Sequence, residues 1–177
     1  FAGSPYGHEG SSDGEPIRAI FSRAGEVSGS RIRLRKSFTV VPGSSVIDVH
    51  YEISNLEKKT VDLIFGPELN FTLLAGKAED RYYYFDGHTL DDKKLASQGV
   101  CEPVSSMGMI DAWQSIHLNL RWDKQAAVWR YPVETVSLSE EGFERVYQNS
   151  CIFPHWRLLL KPNEPWRVTI TLTLTRQ

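Results

Sequence analysis

The sequence predicts an all-β fold, a large antiparallel two-sheet sandwich, on three observations. Apolar and polar residues alternate in run after run from residue 16 onward, and turn chemistry separates those runs at short intervals. No segment longer than about ten residues carries a clean helical period. A period of two sends successive side chains to opposite faces, so each run offers one face to a core and one to water.

The elements follow in order. Residues 1–15, FAGSPYGHEGSSDGE, are rich in Gly, Ser and Pro and have no apolar period, so they are expected to be a linker or flexible arm. A single domain is expected over residues 16–177. In its first clear run, Ile32, Leu34, Phe38 and Val40 alternate with Arg31, Arg33, Arg35 and Thr39. Val41-Pro42-Gly43-Ser44 ends it as a turn. Ile47, Val49, Tyr51 and Ile53 then alternate with Asp48, His50, Glu52 and Ser54, and Asn55 to Lys59 connects to the next strand. The quartet Tyr82 to Phe85 precedes Asp86-Gly87 and must turn two rings each way. Ile116, Leu118, Leu120 and Trp122 form another alternating run. Ser139 to Arg145 has enough helical character for one turn. Lys161 to Pro165 separates the last two strands, and the final run, Trp166 to Leu174, carries Thr169, Thr171, Thr173 and Thr175 on one face.

Bulk properties narrow the function. A chain of 177 residues buries roughly 70% of its unfolded surface and needs neither disulfide nor metal for stability. Twenty basic and 22 acidic residues give a net charge of −2, so no field of one sign recruits nucleic acid. The dense basic run Arg31, Arg33, Arg35, Lys36 reads as a solvated sheet face. Cys101 and Cys151 lack zinc spacing and sit in strand-like runs, which predicts buried thiols and a cytoplasmic location. No apolar stretch is long enough to span a membrane, and no cofactor motif is present. The start at Phe1 rather than Met predicts a piece of a longer polypeptide.

Three segments carry a family resemblance: GPELNFTLLAG (Gly66 to Gly76), DRYYYFDG (Asp80 to Gly87), and the run from Trp129 to Phe153 closed by Pro154-His155-Trp156. In this order they resemble the C-terminal domain of the α-amylase and 4-α-glucanotransferase branch of family 57 glycoside hydrolases, over about Ile17 to Thr175. The resemblance implies a sandwich of the galactose-mutarotase-like type. It also implies a partner, a catalytic barrel N-terminal to this domain in the same polypeptide. The catalytic Glu and Asp of that family lie in the barrel, so no catalytic residue carries over and the fragment is expected to be inactive. α-Glucan is the implied second partner.

Candidate residues for carbohydrate or for the domain interface come from the strands. Glu68 and Asn70 share a face with Thr72. Arg130 and Glu134 share another, provided Pro132 does not shift the register. A carboxylate, an amide and a guanidinium on strands suit sugar hydroxyls, and equally suit a structural pair. Arg145 and Glu144 point to opposite faces, so each needs a partner elsewhere. Among the five tryptophans, Trp122 and Trp166 are in phase with the core, while Trp113 and Trp156 follow loop-like stretches and are expected at the surface. Tyr83 is nominated from the aromatic quartet. Two alternatives to an accessory domain stay open: an independent glucan-binding module, and a mutarotase-like epimerase using Glu68 or Glu134 with His50.

Overall fold

The computed structural model describes residues 3–12, 14–139 and 142–176. Among them are eleven strands, antiparallel in each recorded register, and no helix; none is therefore long and apolar enough to cross a membrane as a helix. The expectation of an all-β fold holds. The described chain divides into two compact units, each drawing on parts of the long strands β9 (Ile116–Ser139), β10 (Gly142–Leu160) and β11 (Trp166–Arg176).

The first unit holds β1 (Gly7–Ser12), β2 (Ile17–Val27), β3 (Ser30–Val40), β4 (Val46–Asn55) and β5 (Val61–Phe65), with Leu120–Lys124 and Arg157–Thr173. The order β1-β2-β3-β4-β11 is continuous. Gly7–Ser12 corrects the expected arm: its residues pair with β2, Gly7 opposite Ser22 and Ser12 opposite Arg18. An edge strand with little burial on either face shows no apolar period, so alternation could not reveal it. Glu9 in this strand bonds Arg35 at 2.7 Å, which gives one arginine of the basic run a partner.

The alternation of β3 and β4 is realised where the sheet is covered. Ile32, Leu34, Tyr51 and Ile53 are buried with Val61, Leu63, Val168 and Ile170. Their polar neighbours form a ladder outside. Arg167 bonds Glu52 at 2.7 Å, His50 meets Thr169 at 3.1 Å and Thr171 donates to Asp48 at 2.6 Å. The threonine row is thus partly engaged within its own sheet. Buried Asn55 fastens the turn after β4, donating to the carbonyls of Lys59 and Leu160 and accepting from the Glu57 amide.

The second unit holds β6 (Leu69–Phe71), β7 (Arg81–Phe85), β8 (Gly99–Asp111), the remainder of β9 and most of β10. β7 pairs with β8, and β6 with β10. β9 and β10 form a long hairpin, with one bulge between Tyr147 and Asn149. Of the helical turn expected over Ser139 to Arg145, positions 140 and 141 lie outside the described residues, and the rest is extended backbone; cross-strand pairing overrides a weak local preference. Tyr83, Phe85, Leu95, Met107, Met109, Val128 and Ile152 are the packed centre. Both cysteines are buried and unpaired.

Candidate functional site

The second unit carries most of the nominated residues. Glu68 precedes β6 and Asn70 lies within it; both are exposed, as their shared phase requires. The Asn70 amide donates to the Glu68 carboxylate at 2.9 Å, leaving an amide oxygen and further carboxylate lone pairs for another molecule. Thr72 is also exposed but lies beyond the end of β6.

Glu134 and Arg145 meet across the β9–β10 hairpin at 2.8 Å. Arg145 therefore finds its partner within this chain. The register pairs Glu134 with Tyr147 and Arg145 with Val136, so both side chains project from one face. Pro132 leaves β9 in step, and the bulge falls on β10 instead.

Three nominations are corrected. Tyr83 is only 1% exposed, and its hydroxyl donates to the Leu95 carbonyl at 3.1 Å. The quartet does split two and two, but Tyr83 and Phe85 face inward, with Tyr82 and Tyr84 on the other side. Burial pushes the Tyr83 phenol well above its ordinary value. Trp156 is 7% exposed; the Pro154-His155 stretch before it is extended strand rather than loop, which keeps Trp156 in the buried phase of β10. Arg130 is also buried. Its guanidinium bonds the Ser97 hydroxyl and the Asp92 carbonyl and lies 5.4 Å from the Tyr83 ring centre. It clamps the loop before β8 and is not presented to a ligand.

Trp113 is at the surface as expected, 78% exposed on the turn between β8 and β9. Buried Asp111 builds that turn. It accepts from Arg81 at 3.1 Å and from the Gln114 amide at 2.9 Å, while the Ala112 amide donates to the Asp80 carbonyl.

Alternation alone did not single out the residues around Trp129. Trp129, Phe153 and His155 form an aromatic cluster on the face opposite Arg130. Ring centres lie 5.8 Å apart for Trp129–Phe153, 4.6 Å for Trp129–His155 and 5.6 Å for Phe153–His155. Trp129 remains 46% exposed. The register continues this face through Tyr131, Cys151 and Asn70. The Tyr131 hydroxyl is bonded to the Cys151 sulfur, which with burial and the nearby Glu68 charge raises its pKa to about 12. Burial, reinforced by Glu68, raises the Cys151 thiol despite that bond. Gly66 lies against this cluster: a β-carbon there would be 2.7 Å from the Phe153 ring and 2.9 Å from the Pro154 carbonyl, a contact that no local pattern in the sequence reveals. A second missed patch is the tip of the hairpin. Phe143 pairs with Leu138 and Arg145 with Val136, and Phe143 is 81% exposed beside exposed Leu138 and Val136.

Solved structures of low identity share this fold. A galactose mutarotase-like protein from Clostridium acetobutylicum matches with a TM-score of 0.71 at 10% identity, over 98% of this chain and 67% of that one. A putative aldose 1-epimerase from Escherichia coli K12 gives 0.69 at 10% identity, over 98% and 69%. The class so defined is an all-β domain of galactose mutarotase-like fold. The 4-alpha-glucanotransferase from Thermococcus litoralis matches with 0.65 at 15% identity, over 96% of this chain and 22% of that one. Sequence comparison is more specific. The alpha-amylase/4-alpha-glucanotransferase C-terminal family matches residues 1–170, so the chain belongs to that family. Alpha-amylase 1 of Dictyoglomus thermophilum is 38% identical over 172 residues, covering 93% of this chain and 23% of that protein. The chain thus spans less than a quarter of the curated relative's length.

Proposed function

We propose that this chain is a non-catalytic accessory domain of an α-glucan-processing enzyme, cytoplasmic, and that it packs on a catalytic barrel N-terminal to it in the same polypeptide. The observation that carries the proposal is the coverage: 93% of this chain matches 23% of an alpha-amylase, within a family defined as C-terminal. The hairpin tip supports it. Val136, Leu138 and Phe143 expose apolar surface on one face beside the Glu134–Arg145 pair, the apolar-with-charged-rim character of a surface that meets a partner. Several carboxylates are already engaged, Glu134 by Arg145, Asp111 by Arg81 and Asp48 by Thr171, which supports a domain without its own acid–base pair. The unpaired thiols of Cys101 and Cys151 fit a reducing compartment.

The epimerase alternative gains little from the geometry, since His50 is bonded to Thr169 and Glu134 to Arg145. Likeness of fold does not transfer an activity.

The test is to express this chain and the upstream part of its parent separately. The chain alone is expected to release no reducing sugar from amylose and to associate with the upstream part. Phe143→Ser and Leu138→Ser are expected to weaken that association about tenfold together. Hydrolysis by the chain alone, or no association at all, would refute the proposal.

A further inference from the structure

We propose that the outer face of β6, β10 and β9 in the second unit is a binding platform for the glucose rings of an α-glucan. The choice of an α-linked glucose polymer rests partly on the accessory-domain proposal above; the platform stands on its own geometry.

Trp129, Phe153 and His155 supply the stacking surface. The register places Trp129 opposite Phe153 and Ala127 opposite His155, on one face of neighbouring strands. Half-exposed Trp129 leaves ring area open to solvent. Hydrogen-bonding groups stand beside the rings. Asn70 lies opposite Cys151, in line with Tyr131, and holds Glu68 at 2.9 Å. A pyranose needs this combination, because its C–H face is apolar and its rim is a ring of hydroxyls.

The chemistry selects among occupants. Glu68 is the one carboxylate of these residues, and they include no permanent cation, so a polyanion is disfavoured. A purely apolar partner would bury Glu68 and Asn70 without new hydrogen bonds, which is costly. A neutral polyol satisfies both groups and the rings. The rings also lie at angles to one another, 32° for Trp129–Phe153 and 57° for Trp129–His155. Phe153 and His155 are stacked at 26°, so the three rings do not share one plane. That suits a curved α-1,4-linked chain better than the flat ribbon of a β-1,4-linked one.

Phe153 is fixed from below by the chain itself. Gly66 lies close against the ring and leaves no space there for a side chain, and a ring packed on one side has less freedom to lose on binding.

Nuclear magnetic resonance titration of the chain with maltoheptaose tests the proposal. The Trp129 indole N–H and the Asn70 side-chain amide are expected to shift saturably at sugar concentrations up to about 10 mM. Trp129→Ala is expected to weaken binding about tenfold or more. Asn70→Ala and Trp129→Phe, which disturb packing less, are expected to weaken it several-fold. Val41→Ser, in the first unit, is expected to leave it unchanged. The absence of shifts, or an affinity in Trp129→Ala equal to that of the parent chain, would overturn the platform. Equal binding of cellohexaose would overturn the α-glucan assignment. Sugar binding here without association to an upstream domain would refute the accessory-domain proposal and leave the platform standing.

Discussion

Arg130 shows what a buried charge does when its partners are neutral. It contacts a hydroxyl, a carbonyl and the face of Tyr83, and its Nε has no hydrogen-bond partner among the described residues. Its effect is to fix the Asp92–Ser97 loop. Arg130→Met keeps the stem and removes the donors. It is expected to lower stability by about 1–3 kcal/mol in urea unfolding, and Arg130→Lys is not expected to restore it, because an ammonium cannot span those acceptors. Unchanged stability in Arg130→Met would show that the clamp contributes nothing. Asp111 is the contrasting case, a buried carboxylate with a charged partner. Asp111→Ala removes one of the two carboxylates that hold buried Arg81, leaving Asp80 at 2.8 Å, and is expected to cost about 1–3 kcal/mol. The tight turn that presents Trp113 should loosen with it, seen as faster amide exchange at Gln114.

At the level of elements, β10 is the strand that organises the second unit, since it pairs with β9 along one edge and β6 along the other. Its outer face depends on the chain at Gly66. Gly66→Ala is expected to destabilise the protein by about 1–3 kcal/mol by forcing the Phe153 ring and the Pro154 backbone aside. The same substitution should weaken maltoheptaose binding beyond what the stability loss explains, read from the Trp129 indole resonance. Near its other end the hairpin carries the Glu134–Arg145 pair, in which Arg145 is largely exposed; such a pair adds little stability by itself. It serves to set the rim of the apolar tip.

At the level of the whole molecule, the phenols govern behaviour in alkali. Burial, aided by Tyr6, raises Tyr51 to about 12, and the bond to Cys151, then burial, raises Tyr131 to about 12. Both folded values lie above the unfolded phenol value of about 10. Their contribution is therefore fully present below pH ~10 and is lost as pH rises through about 12. Stability should fall across that window, and Tyr51→Phe should flatten the fall, measured as urea midpoint against pH. A slope identical to that of the parent chain would remove Tyr51 from the account. With an isoelectric point near 6.2, the chain should be least soluble slightly below neutrality.

Much of the fold was legible in the sequence because alternation is a local property. Ile32, Leu34, Tyr51, Ile53, Val168 and Ile170 announced their phase and are buried in it, and the three ordered segments identified the family. The exposed, shared phase of Glu68 and Asn70 was legible for the same reason. The rest depended on which strand lies beside which. A period of two defines two faces but does not say where a face runs out of cover: Leu174 keeps the apolar phase of β11 and is exposed. It does not detect an edge strand such as Gly7–Ser12, whose register rather than its side chains defines it. Nor does it tell Tyr83 from Tyr84, or place Trp129, Phe153 and His155 against one another. The sequence by itself determined strand phase and family, since both are written in the order of residues. Only the tertiary structure decided which aromatic rings are buried and which form a surface, because that is set by contacts between residues far apart in the chain.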